Sequence, residues 1–171
     1  QKYMEACKVK LPVTFRLNTS YTNYQLVKKR LDDPNFIQNE FLSEASEEQD
    51  NVHENHKADL SEVKLRQLEW YPQGLAYEVN LNRGVIKKHP ALQKFQKYIS
   101  ICSDSGIISR QEAVSMLPPL FLDIQESDLV LDMCAAPGSK TSQMLDNIFT
   151  QCKNKSPVYL RGAVIANDAD N

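Results

Sequence analysis

Residues 130–146 read VLDMCAAPGSKTSQMLD, an apolar strand-like run that leads through small residues into a helix with a cysteine, a glycine and a lysine at the junction. A loop joining a parallel strand to a helix presents free backbone amides at the positive end of the helix, where an anion or a polar nucleoside derivative is held. Such a ligand must approach the main chain closely. Ala135, Ala136, Gly138 and Ser139 leave that room, and Pro137 stiffens the turn. A second group is needed at the next strand end, and VIANDAD supplies it in Asp168, the first acid after the apolar run. A carboxylate there accepts hydrogen bonds from both hydroxyls of a ribose. Asp170 and Asp132 are the alternatives for this role.

Three chemistries compete for the loop. A phosphate-binding P-loop requires G-x-x-x-x-G-K-[ST], but Ser139 separates Gly138 from Lys140 and Cys134 stands near the place of the first glycine. The dinucleotide fingerprint G-x-G-x-x-G fails because only Gly138 is present. The third reading is a Rossmann-like methyltransferase, in which the loop after the first strand holds the methionine part of S-adenosylmethionine and the acid after the second takes the ribose. Cys134 invites a nucleophilic reading, yet its neighbours serve the donor side of such a site. Cys7, Cys102 and Cys152 have no supporting context, and no C-x-x-C pair suggests zinc or another metal.

The elements that must position these residues follow from periodicity. DLVLDMC is a short strand, SKTSQMLDNIFTQC a helix with Met144, Leu145 and Ile148 facing inward, and GAVIAND a second strand. Strand, loop, helix and strand make one βαβ unit, so the strands are expected to be parallel. Two strands leave apolar surface open at Leu129, Leu131, Val164 and Ile165. Upstream, KLPVTFRLN alternates Val13, Phe15 and Leu17 against Thr14, Arg16 and Asn18, which predicts a half-buried strand with Arg16 and Asn18 on its polar face. YTNYQLVKKRL has helical spacing and stops before Asp33-Pro34. Residues 39–59 are acidic and polar, an expected loop insertion. LEWYPQGLAYEVNLNRGVIKKHP suggests short extended segments with turns at Pro72-Gln73-Gly74 and Asn82-Arg83-Gly84, and with Trp70 and Tyr71 packed inside. ALQKFQKYISIC places Leu92, Phe95, Tyr98 or Ile99, and Cys102 on one helical stripe, ended by Gly106. Ser109 and Glu112 have capping-box spacing for a following helix, with Pro118 and Pro119 as its stop.

At 171 residues and 42% hydrophobic content the chain can bury one moderate core or two small ones. No apolar run is long enough to span a bilayer. The net charge of −2 hides a block pattern: +6 over residues 1–30, −9 over 31–62, +5 over 63–100 and −4 over 101–171. Phosphate contacts depend on local basic patches, so the two basic blocks are candidates for nucleic-acid binding. A non-catalytic RNA-binding module using Arg16, Lys28, Lys29, Arg30, Arg83, Lys87 and Lys88 is therefore a second reading.

DMCAAPGSKT, preceded by GIISRQEAVSMLPPLFL and followed by VIANDADN, resembles the Nop/Sun family of RNA cytosine-5 methyltransferases, above all its eukaryotic transfer-RNA branch. The resemblance reaches back through WYPQGLAYEVNLNR and LPVTFRLN, so it covers most of the chain outside the acidic insertion. It implies an α/β chain: an α+β, RRM-like, RNA-contacting domain over residues 1–90, then the first part of a Rossmann-like methyltransferase domain over 91–171. It also implies S-adenosylmethionine as cofactor, held by Cys134, Ala135, Ala136, Pro137, Gly138, Ser139, Lys140 and Asp168, with the Lys140 ammonium beside the donor's carboxylate. Transfer RNA would be the partner, without membrane or metal, in the nucleus or nucleolus. In this family a cysteine thiolate attacks carbon 6 of cytosine so that carbon 5 accepts the methyl group. Its functional cysteines lie in later motifs than those present here, which implies no catalytic cysteine in this stretch.

Overall fold

The computed structural model describes residues 2–43, 63–82, 84, 86, 90–153 and 161–169. A short exposed helix α1 (Lys2–Ala6) leads into strand β1 (Pro12–Leu17), followed by helix α2 (Tyr24–Leu31), β2 (Leu65–Gln67), β3 (Ala76–Asn82), α3 (Pro90–Asp104) and β4 (Ile108–Arg110). These strands form one sheet in the order β2-β3-β1-β4, with each neighbouring pair antiparallel. From β1 to β4 the chain is a β-α-β-β-α-β arrangement, the split βαβ topology shared by ferredoxin-like and RRM domains. Helix α3 and strand β4 therefore belong to this first sheet, which extends beyond the division expected at residue 90.

Alternation along the strands decides what each face of this sheet buries. Phe15, Leu17, Tyr77, Val79, Leu65 and Ile108 point to one side and meet Leu31, Phe36, Ile37, Leu92, Phe95 and Ile99 in a single core. The stripe expected on α3 is the one observed. Gly106, at φ +79°, then reverses the chain so that Ile107 donates its amide to the Cys102 carbonyl. Residues 38–42 form a π-helical turn, and Phe41 packs edge-on against Phe36 and Phe95. Residues 39–43, the start of the expected insertion, are thus ordered by aromatic burial; its remainder lies outside the described residues.

The second sheet pairs β5 (Leu129–Asp132) with β6 (Ala163–Ala166) in parallel, Val130 opposite Val164. Between them runs α5 (Ser139–Cys152). It follows the short helix α4 (Leu117–Phe121) in the run of helices. Met144 and Ile148 of α5 bury against Val130 and Val164, as the sequence pattern requires. Leu145, expected inward, is 49% exposed because it lies between the two faces that α5 uses. Leu129, Leu131 and Ile165 are also exposed, on the sheet face that α5 does not cover. Gly162 is demanded by close approach at the entry to β6: an added Cβ would lie 2.7 and 2.8 Å from the backbone oxygens of Glu126 and Asp128.

Three local expectations are not met. Ser109 does not cap a helix; it sits in β4 opposite Arg16, and its hydroxyl donates to Asn18 Oδ1 at 2.9 Å. The free edge of β1 offered residues 108–110 backbone bonds that a helix cap would have forfeited. Pro118 and Pro119 do not stop a helix but occupy the opening turn of α4, where a missing N–H costs nothing. Trp70 remains 45% exposed, while Tyr71 is buried.

The two sheets meet through polar groups. Arg16 is fully buried: its Nε donates to Gln111 Oε1 at 3.1 Å, Nη1 to Asn18 Oδ1 at 2.7 Å and Nη2 to Ser142 Oγ at 3.1 Å, with Asp146 Oδ2 at 3.5 Å. Asp146 in turn accepts from the Thr19 amide and hydroxyl and from the Ser20 amide at 2.9–3.1 Å. Burial pushes the Arg16 guanidinium below its ordinary value, and Tyr71 and Asp146 pull it back up. Gln111 continues the chain of bonds to Gln143, which donates to the Met116 carbonyl at 2.8 Å.

Asp146→Ala leaves Arg16 buried without its counter-charge and is expected to lower the unfolding free energy by about 3–5 kcal/mol. Arg66→Ala, which breaks the exposed 2.5 Å pair with Glu78, is expected to cost less than about 1 kcal/mol; urea denaturation measures both. A pH effect follows from Asp32. Desolvation raises its pKa, but bonds from Lys28, Tyr77 and Gln67 outweigh this and hold it below the usual value. A carboxyl whose folded pKa lies below its unfolded one stabilises above the unfolded value, and the gain is lost as pH falls through the folded one. Asp32→Asn is expected to flatten the loss of thermal stability below about pH 4.

Candidate functional site

Parallel strands bring their carboxyl ends to one edge, and in open α/β sheets ligands bind outside that edge. Here the register sets Asp132 opposite Ala166, so the 133–138 loop and the 167–169 segment leave side by side. They are laced together. Ala135 donates its amide to the Asn167 carbonyl at 2.9 Å, Asn167 donates its own to the Asp132 carbonyl at 2.8 Å, and its side-chain amide reaches the Met133 carbonyl at 3.2 Å. The Ala136 amide donates to Asp168 Oδ2 at 2.7 Å, so the acid after β6 stands directly against the small-residue loop.

The loop then turns into α5 through a cis Ala136–Pro137 bond and Gly138. Gly138 caps the helix at φ +99°, ψ 0°, with no side-chain cap bond, and its amide donates to the Ala135 carbonyl at 2.6 Å. An added Cβ at Gly138 would meet nothing within 4 Å. Glycine is needed there for its backbone conformation, and the space beside it is open to a ligand. Ser139 is half-buried, and Lys140 is exposed at the second position of α5.

The acids divide their work. Asp132, one of the alternatives for the ribose role, braces the loop: Oδ2 accepts from Thr141 Oγ1 at 2.6 Å and Oδ1 from the Cys134 amide at 3.3 Å. Asp170 lies outside the described residues. Asp168 is the acid set against the loop backbone. Cys134 is exposed beside Asp132, Cys7 is exposed, and Cys102 and Cys152 are buried. No cluster of metal-ligating side chains occurs among the described residues, and no helix there is long and apolar enough to cross a membrane.

Sequence reasoning missed Asp132 and Thr141 as a brace, although a threonine nine positions after a strand-end acid is a usable signal. It also missed that α5 has two working faces. Ser142, Gln143, Asp146 and Thr150 form a second stripe that turns toward β1.

No family model matches the chain. Over 99% of its length the chain is 36% identical to a tRNA (cytosine(34)-C(5))-methyltransferase of Drosophila melanogaster, covering 21% of that protein. It is equally similar, at 36% over 99%, to a multisite-specific tRNA:(cytosine-C(5))-methyltransferase of Saccharomyces cerevisiae, covering 22% of it. A Schizosaccharomyces pombe protein of the same description is 47% identical over 110 residues, which are 60% of this chain and 16% of that protein. The chain belongs to the Nop/Sun family of RNA cytosine-5 methyltransferases. It spans about a fifth of the length of the relatives it matches from end to end. The fold agrees with a methyltransferase homologue from Pyrococcus horikoshii, at a TM-score of 0.54 and 24% identity, covering 97% of this chain and 38% of that one.

Within a Nop/Sun chain the basic residues of the first block have distinct fates. Arg16 and Asn18 are buried in the junction between the sheets and offer nothing to an external phosphate. The polar face of β1 is covered by α5 at Arg16 and by residues 106–111 at Thr14 and Asn18. Lys28 pairs with Asp32 at 2.8 Å and Arg30 with Glu40 at 3.0 Å, both at the surface, and Lys29 is exposed. Arg83, Lys87 and Lys88 lie outside the described residues. Gly138→Ala is expected to cost about 1–3 kcal/mol, because an alanine must adopt a left-handed backbone. Urea denaturation measures it; a loss under about 0.5 kcal/mol would mean that the loop relaxes to a negative φ.

Proposed function

We propose that this chain forms the methyl-donor side of a transfer-RNA cytosine-5 methyltransferase, with S-adenosylmethionine held between the loop 134–140 and Asp168. The observation that carries this reading is the 2.7 Å bond from the Ala136 amide to Asp168 across the strand ends, beside the open space at Gly138. The residues fit the donor. The loop's small side chains leave its backbone accessible, Asp168 can accept from two ribose hydroxyls, and the exposed Lys140 ammonium suits a carboxylate. Bound S-adenosylmethionine supplies a methyl group on an electrophilic sulfonium. The chain's part is to orient that group: Asp132 and Thr141 hold the loop against β5, and Gly138 sets the angle at which α5 leaves it.

Transfer RNA as the methyl acceptor rests on the names of the relatives similar over 99% of this chain. Binding by base stacking on the first sheet is disfavoured by its composition. RRM domains stack bases on aromatic side chains of the sheet face away from their helices. Here that face carries Thr14, Arg16, Arg66, Ala76, Glu78 and Ser109 on its strands, and no aromatic among them.

Isothermal calorimetry on the full-length protein tests the donor site. Asp168→Ala is expected to raise the Kd for S-adenosylmethionine about 10- to 100-fold, the loss of hydrogen bonds to a charged acceptor. Cys134→Ala should stay within about threefold of wild type, because only its backbone is engaged in the loop. Equal affinity of the Asp168→Ala and wild-type proteins would remove Asp168 from the ribose role.

A further inference from the structure

Arg16 is 126 positions from Ser142 in sequence and belongs to the other sheet, yet its guanidinium touches the helix that follows the donor loop. Its three bonded nitrogens reach three separate segments: Gln111 after β4, Asn18 after β1 and Ser142 on α5. A buried ion pair of this kind is a poor source of net stability, since apolar side chains of similar volume serve as well or better. What it supplies is direction, because a planar guanidinium bonds well only when its acceptors sit at fixed angles.

The acceptor on α5 is well placed to use that direction. Ser142 lies one turn into the helix, and its amide donates to the Gly138 carbonyl at 2.8 Å. Asp146, one turn further, is tied to Thr19 and Ser20 as well as to Arg16. Thr150, another turn on, is hydrogen-bonded to Thr19, and Lys153 donates to the Thr19 carbonyl at 3.1 Å. The opposite face of α5 meets β5 and β6 through Met144 and Ile148, contacts without directional preference, and through one directional bond in its first turn, from Thr141 to Asp132. Beyond the Thr141 bond, the rotation and axial position of α5 are set by the polar stripe, and the donor loop moves with its first turn.

We propose that Arg16 is a positioning residue for the methyl-donor site, acting through Ser142 and Asp146 on the helix that begins at Gly138. The proposal rests on the loop 134–140 and Asp168 being that site. It assigns to the first sheet a part in donor binding, and it separates Arg16 from the basic residues with which a charged sequence block groups it.

The test uses the full-length protein with four substitutions at Arg16 and Ser142, Asp168→Ala as the reference, and three readouts: Kd for S-adenosylmethionine, Kd for transfer RNA as a function of salt, and melting temperature. Ser142→Ala removes one bond to Arg16 and leaves the charges paired. It is expected to raise the donor Kd about 3- to 10-fold, the range of one hydrogen bond, with RNA affinity and melting temperature little changed. Ser142→Thr restores the hydroxyl and should restore donor affinity, which a purely structural role for the position would not predict. Arg16→Lys keeps the charge but loses the fork, and should weaken donor binding at least as much. Arg16→Gln should leave the salt slope of RNA binding unchanged, whereas a lost phosphate contact lowers that slope by about one.

Donor affinity within twofold of wild type in both Ser142→Ala and Arg16→Lys, while Asp168→Ala still weakens it, would overturn this proposal and leave the site assignment standing. A slope reduced by about one in Arg16→Gln would overturn it too, by making Arg16 an RNA contact. If Asp168→Ala binds the donor like wild type, the site assignment falls and this proposal with it. Should the Arg16 variants fail to fold, Ser142→Ala and Ser142→Thr decide the matter alone.

Discussion

A guanidinium with no exposed surface is the constraint on which this structure turns. Arg16 must remain charged, and burial alone would make that charge intolerable. The protein answers with acceptors from Gln111, Asn18 and Ser142 and with the carboxylate of Asp146, drawn from segments far apart in the chain. Gln111, Asn18 and Asp146 are in turn held by others, Asp146 by the backbone amides of Thr19 and Ser20. Such a network is favourable only when complete, so the first sheet and α5 have one relative arrangement that satisfies it.

This junction changes what the first sheet is for. Its β-α-β-β-α-β topology matches that of RRM domains, whose exposed sheet face is a platform for bases. In this chain part of the same face is given over to holding α5. The residues left on it are polar or charged, such as Arg66 paired with Glu78, and they lack the flat apolar area that stacking needs. Fold likeness and use of a surface are thus separable here, because the same sheet can be capped by another part of the chain.

The loop between β5 and α5 shows the complementary case, in which local chemistry and tertiary setting agree. Small residues between Asp132 and Ser139 permit a tight turn, Gly138 takes the left-handed backbone, and the parallel register of β5 and β6 brings Asp168 to the Ala136 amide. The small residues and the side-by-side strand ends were legible because they depend on neighbours close in sequence or on the rule that a βαβ crossover makes parallel strands; the left-handed backbone of Gly138 was not read from the sequence. The helical stripe of α3 and the alternation of β1 were legible for the same reason. Ser109, Leu145 and Phe41 were misread where pairing or packing with a distant segment outweighed local pattern, whereas nothing in the structure explains the exposure of Trp70. An open strand edge took Ser109 from its expected cap, and an aromatic cluster drew Phe41 out of an acidic stretch.

The amino-acid sequence by itself determined the strand-loop-helix-strand unit, the small-residue loop with an acid at the next strand end, and most of the core stripe of each longer helix, since these are written in local composition and in periods of two and of 3.6. Only the tertiary structure decided that β1 is buried on both faces, that Arg16 is a junction residue, and that α5 is gripped along a polar stripe by the first sheet. The reason is that period reports which residues share a face, while burial depends on what a distant segment brings to that face. A polar face reads as solvent-exposed until a partner with matching donors and acceptors covers it, and here that partner is α5, more than a hundred residues away.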